Sequence, residues 1–291
     1  MNPSQVLDGA VDIHVHSSPD CFERMFRHDE LAEHAREYGL DGIVVKCHHH
    51  GTADRVPFVR ELVDGIDVYG SLTLNHPVGG LNPAAVETAL EYGAREVWMP
   101  TIDARSHAEH YGGGGEYDRG LPIAWDRRVH EEPMTVLADG ELKPDVVRIL
   151  ELLAEDDVLL SVGHLSYEEI VALIERADDV GLEKIVVDHP NISFMDFSLD
   201  QQRELVELGA RMNYVCAELS PRWYSLSPAE FASNIAELGV DNVVISSDGG
   251  QLSNAPPCEM LRSTAQLLYE EGFSGSDLET MFETTPKELV Q

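Results

Sequence analysis

His14 and His16, in the run Asp12-Ile13-His14-Val15-His16, are the residues around which the rest of the chain can be organised. They close a short stretch in which Val11, Ile13 and Val15 alternate with polar residues, the period-two pattern of a strand. Residues two apart on a strand share a face, roughly 7 Å apart at Cα, so both imidazoles can reach one metal ion. A surface strand with two solvated histidines has the same spacing. The other Val/Ile-rich runs supply the discrimination. They end in Lys46-Cys47-His48-His49-His50, Asn75-His76, Pro100-Thr101, Gly163-His164, Asp188-His189, Glu218 and Ser247-Asp248-Gly249-Gly250. Imidazole and carboxylate ligands suit Zn²⁺ and similar first-row ions. Five such residues at strand ends (His14, His16, His164, His189 and Asp248) favour a metal site over chance.

One local pattern positions these ends. An amphipathic stretch closes in glycine or acidic residues, and a Val/Ile-rich run follows after a very short turn, as in EYG-LDG-IVV (37–45), VGL-EKIVV (180–187) and ELG-VDNVVI (237–245). Glycine just past a helix is the expected left-handed cap, and such short loops precede parallel strands. With the opening strand at 10–16 the count is eight. Mostly apolar strands fit a sheet buried on both faces. Helix starts agree: Asn82-Pro83, Lys143-Pro144 and Thr52 open helices, and Ser166 with Glu169 and Ser227 with Glu230 form capping boxes. A dinucleotide-binding sheet should show Gly-x-Gly-x-x-Gly after its first strand, where this chain has His-x-His-Ser-Ser-Pro. The expectation is an α/β fold, a (βα)8 TIM-type barrel forming one domain over residues 1–291.

Two stretches fall outside the pattern. Residues 102–143, after strand four, hold Gly112 to Gly115, Tyr111, Tyr117, Trp125, His107, His110 and His130. A loop this long is functional or disordered, and on a barrel it leaves the catalytic face, so a substrate lid is expected. Ser276 to Gln291 reads as a closing helix packed across the barrel.

The chain has 53 acidic against 20 basic residues, a formal net charge of −33. Such a field repels nucleic acid and anionic membrane, which excludes both as partners. The acids are spread over every helix, and lysine is limited to Lys46, Lys143, Lys184 and Lys287. This composition suits a cytoplasm with molar salt, where repulsion is screened within about 3 Å. Four separated cysteines, Cys21, Cys47, Cys216 and Cys258, read as reduced cytosolic thiols. Neither a signal peptide nor an apolar run of spanning length is visible. The expected partner is a small-molecule substrate, and homo-oligomerisation stays open.

The ordered set of strand-end residues resembles the amidohydrolase superfamily: His-x-His on strand one, His164 in SVGHLS on strand five, His189 in VVDHP on strand six, and Asp248 in ISSDGG on strand eight. The ending TTPKELV is similar to that family's Asn-Pro-x-x-Leu close, so the likeness covers nearly the whole chain. It implies hydrolysis or deamination by a metal-bound hydroxide, attacking an amide, lactone, aminated ring or related carbonyl-type centre. It also implies one or two divalent ions, zinc first, with manganese or iron as alternatives. The implied ligands are His14, His16 and Asp248 with His164 or His189, and Asp248 moves the proton. Two-metal members carry a carboxylated Lys or a Glu at the end of strand four, where this chain has VWMPT. Lys46 ends strand two instead. Either it bridges two metals as a carbamate, or it stays cationic and offsets a substrate carboxylate or phosphate. Lys46 and His189 join Asp248 as candidate catalytic groups, and His76, Glu218 and Arg222 are candidates for orienting polar substrate groups. A second likeness, DIHVHSSPD followed by GLDGIVVKCHHH, is to PHP-type phosphoesterases, from which the chain departs at Val-Lys-Cys-His and at Asp248-Gly249-Gly250. Metal-dependent decarboxylases share the ligand set. A metal-dependent binding or sensor protein is the non-enzymatic alternative, and it has no need of Asp248 as a base.

The salt argument has its own test. Thermal stability is expected to fall below roughly 0.5 M salt as carboxylate repulsion is unscreened. Melts that stay flat from low to molar KCl contradict it.

Overall fold

Short-range signals set most element boundaries in the computed structural model, which describes residues 7–112 and 132–291. Ser166 and Ser227 each form a reciprocal capping box with Glu169 and Glu230, and Ser198 and Ser274 do the same with Gln201 and Asp277. Asn82 caps its helix by accepting from Ala84 N at 3.1 Å. Thr52 departs from the expectation. Its helix starts only at Val56, and Thr52 Oγ1 instead donates to Val45 O and accepts from Ser71 N, tying two strands together.

The strands are β1 (Val11–His16), β2 (Gly42–Lys46), β3 (Asp67–Thr73), β4 (Ala94–Trp98), a small hairpin β5 (Leu137–Ala138) and β6 (Glu141–Leu142), then β7 (Leu159–Ser161), β8 (Ile185–Asp188), β9 (Arg211–Val215) and β10 (Val243–Ser246). Eight of them form one parallel sheet in the order β1-β2-β3-β4-β7-β8-β9-β10, with helices between. The ends meet where His16 N donates to Gly249 O at 2.9 Å and Asp248 N donates to His14 O at 2.8 Å. This is the expected (βα)8 barrel. Among the described residues, no helix is long and apolar enough to cross a membrane.

The aim of β1 is not the simple alternation its sequence suggests. Val11 and Ile13 pack with Val44, Leu159, Val186 and Val244 inside the barrel, closed below by Leu289 and Val290 of the C-terminal helix. Val15 joins the large core under the outer helices. The register against β2 shifts between Asp12 and Val15, a bulge that inverts strand parity. Above it, His14 and His16 face the interior that Val11 and Ile13 face below. The register also sets His16 opposite Lys46.

Within the expected insertion, the described residues form a helix at Arg105–Tyr111 and the β5–β6 hairpin. Gly113, Gly114, Gly115, Tyr117, Trp125 and His130, on which the lid expectation rested, lie outside the described residues.

Gly250 shows how tight the closure is. Its φ is +107°, and a Cβ there would stand 1.9 Å from His16 O. Gly250→Ala is expected to destabilise the fold by about 2 kcal/mol or more in chemical denaturation. An unchanged midpoint contradicts this account of the closure.

Candidate active site

At the C-terminal mouth, three side chains from the two ends of the sheet converge. Asp248 Oδ1 stands 3.2 Å from His14 Nε2 and 3.1 Å from His16 Nε2. All three donor atoms lie within 4.8 Å of one another. Ligands at 2.0–2.1 Å around a tetrahedral ion are separated by roughly 3.4 Å, so these spacings match a coordination edge. Asp248 and His189 have φ of 42° and 35°, a left-handed backbone that non-glycine residues rarely adopt and that gathers at functional sites.

The electrostatics fit a cation. Burial would push the Asp248 carboxyl up, yet the His14 charge and hydrogen bonds from His14 and His16 hold it well below the ordinary range. Burial keeps His16 neutral, its pKa lowered to about 3, and lowers His189 to about 4. His164 is depressed by burial and by the neighbouring His107, whose Nδ1 is 2.9 Å from His164 Nδ1. At His14 burial also disfavours charge, but Asp248 more than offsets it and the net shift is upward. His16, His164 and His189 are thus in the neutral state that metal ligation requires, beside an ionised carboxylate, whereas at His14 the proton is favoured by Asp248 and has to leave for the ring to bind a cation.

Lys46 Nζ points into the same corner, 3.1 Å from His14 Nε2 and 3.5 Å from the centre of the Trp98 ring. Burial lowers its pKa to about 8 against the pull of Asp188 and Asp248. Two residues before Trp98 on β4, Glu96 is fully buried and accepts from Ser161 Oγ, and desolvation pushes its carboxyl well up. A cleft opens above these groups, with His16, Lys46, His164, His189 and Asp248 in its lining. Phe22, Phe194, Trp223, Ile192 and Leu252 give it an apolar wall.

A second group, Asp20, Cys47 and His49, also has ligand atoms within 4.8 Å. A cation is already there. Arg24 Nε donates to Asp20 Oδ2 at 2.6 Å, while His49 Nδ1 stands 3.1 Å from Oδ1. Burial and Asp20 push the Cys47 thiol up to about 12, so it is not a thiolate.

Over residues 9–213 the sequence matches the family described as Family of unknown function (DUF6282). The chain belongs to this family. No curated protein matches the sequence. In fold, the DUF6282 chain is similar to an amidohydrolase from Pseudomonas aeruginosa, with TM-score 0.65 and 10% identity over 99% of this chain and 98% of that one. It is also similar to the probable dipeptidase PvdM from Pseudomonas aeruginosa, with TM-score 0.61 and 12% identity over 99% and 96%. A mutant organophosphorus hydrolase from Deinococcus radiodurans gives 0.57 and 13% over 98% and 94%. At such identities the likeness establishes the barrel shared with these hydrolases.

The DUF6282 barrel brings His14, His16, Asp248 and Lys46 together, with His164, His189 and Arg222 lining the same cleft. His76 and Glu218, expected to orient substrate, are not among its lining residues. His76 Nε2 stands 3.0 Å from Glu132 O, beyond strand three. Glu218 is buried and accepts from Asn191 N at 3.0 Å, holding the loop after His189. Its carboxyl is pushed up to about 8 by burial. Of the three histidines after β2, His48 lines the cleft and His49 is buried against Asp20, while His50 is exposed. The sequence reading missed Arg24, Phe22 and Trp98; only Trp98, two residues after Glu96 on β4, carried a strand-end signal.

The purified DUF6282 chain is expected to hold a divalent transition metal, and His14→Ala or His16→Ala to weaken metal affinity by more than about 100-fold. Elemental analysis showing metal-free protein, with no thermal stabilisation by Zn²⁺ or Mn²⁺, contradicts the site.

Proposed function

We propose that this chain is a metal-dependent hydrolase of small molecules, acting at a carbonyl-type centre: an amide, a lactone or an aminated ring. The observation that carries it is the convergence of His14 Nε2, His16 Nε2 and Asp248 Oδ1 at the barrel mouth, where His16 and Asp248 line a cleft. Zinc suits two imidazoles and a carboxylate, with manganese or iron as alternatives. A divalent ion held there supplies Lewis acidity and makes water a nucleophile near neutral pH.

The chain's own groups do the rest. Asp248, ionised and strained, takes a proton at its carboxylate and returns it to the leaving group. His189, kept neutral by burial, lines the cleft beside it and can accept a hydrogen bond or bind the ion. Lys46 stays cationic in this reading. Its nitrogen lies over the negative face of Trp98, a place that favours an ammonium and disfavours an anionic carbamate. That supports one metal ion. Phe22, Phe194 and Trp223 give the reacting centre an apolar flank. The net charge of −33 supports a salt-rich cytoplasm as its setting.

A mixed panel tests this at high salt: amides, lactones and aminated rings against phosphomonoesters. Turnover is expected in the first group only, with one equivalent of metal, and Asp248→Asn is expected to lower kcat by about a hundredfold or more. Phosphomonoesterase activity lost in Asp248→Asn, or metal binding with no turnover of any class, contradicts the proposal.

A further inference from the structure

Beside the metal corner stands a buried cation that the hydrolytic chemistry does not use. Arg24 lies in the irregular segment after β1, and its backbone is tied to the opposite lip of the mouth. It pairs with Gln251 in an isolated antiparallel bridge, and Met25 N donates to Gly250 O at 2.8 Å. Its side chain is 3% exposed, and its guanidinium carbon lies 5.5 Å from the centre of the Phe22 ring. Nε is taken by Asp20, but Nη2 is buried and has no hydrogen-bond partner among the described residues. Arg24 lines the same cleft as His16, Lys46 and Asp248. Its charge reaches these groups, since it adds to burial in depressing His16 and His48.

A desolvated guanidinium with an unmet N–H is costly until a ligand completes it. Its orientation is fixed in advance: Asp20 is itself held by His49 Nδ1 at 3.1 Å and by Cys47 Sγ at 3.5 Å. Arginine's planar fork matches a carboxylate, with two parallel N–H bonds. A single negative charge fits better than a dianionic phosphate, because Asp20 already balances part of the guanidinium. A chain of net charge −33 also needs local positive charge to hold any anion, and Arg24, Lys46 and Arg222 all line this cleft.

We propose that Arg24 is the anion-recognition residue of this cleft and that the substrate carries a carboxylate apart from the bond that is hydrolysed. This rests on the metal-hydrolase reading and narrows its substrates to small carboxylate-bearing amides or lactones. Asp20, with His49 behind it, is the positioning residue that holds the fork.

Calorimetric titration of the zinc-loaded full chain with butyrate, succinate, glutarate and adipate tests it. One carboxylate can sit on the metal in every case, and only the diacids offer a second one to Arg24. At least one diacid is expected to bind about tenfold or more tighter than butyrate. Arg24→Met is expected to remove most of that advantage, with Arg24→Lys between. If Arg24→Met does not fold, Asp20→Asn carries the test, since freeing the fork should shrink the same advantage. No diacid preference in the wild type, or a full preference kept in whichever variant folds, overturns the proposal. Failure of the chain to bind zinc strikes at the metal reading, whereas a diacid preference that Arg24→Met leaves intact strikes at Arg24.

Discussion

The site depends on one splice, where the first strand meets the turn after the last. Asp12 Oδ1 accepts from Ser247 N at 3.0 Å and from His14 N at 3.2 Å. Asp248 N donates to His14 O, and His16 N to Gly249 O. The backbones carrying the two histidines and the aspartate are thus bonded directly to each other, although more than 230 positions separate them. Asp12 is fully buried, and desolvation lifts its pKa to about 6 despite bonds from Ser247 and His14. Barrel closure and ligand geometry are therefore one constraint. A change that loosens the seam moves the candidate ligands, and a cation bound by them would tighten the seam.

Around that seam the charges divide into two corners. In one, His16 and His189, kept neutral by burial, and His14, whose proton Asp248 favours, stand beside a carboxylate held ionised. In the other, Arg24 is held by Asp20 with an open edge, an arrangement short of a negative charge. Lys46 lies between, on the face of Trp98. The same low dielectric makes each unmet group costly and makes its satisfaction by a ligand strong. A cleft lined by both suits the bifunctional small molecule proposed above.

Much of this was legible in the sequence. Apolar runs ending in His or Asp at regular intervals give the barrel and its rim, because a barrel places strand ends on one face. His14, His16 and Asp248 are among the residues that rule picks out, and the resemblance to the amidohydrolase superfamily marks them as the expected ligands. What was not legible depends on long-range register. The bulge in β1 is hidden because Val11, Ile13 and Val15 alternate without a break, yet Val15 faces away from the other two. Arg24 lies eight residues past His16 in irregular chain, and its aim comes from its bridge to Gln251, which no local pattern encodes. Glu218 sits at a strand end and still turns to support the loop of Asn191, since strand position fixes place but not side-chain partner.

X-ray absorption at the zinc edge on the zinc-loaded protein tests the central claim most directly, because the two candidate clusters differ by a sulfur. Coordination by His14, His16 and Asp248 predicts only nitrogen and oxygen neighbours at about 2.0–2.1 Å. A sulfur neighbour near about 2.3 Å would place the ion at Cys47 with Asp20 and His49, and would contradict the account.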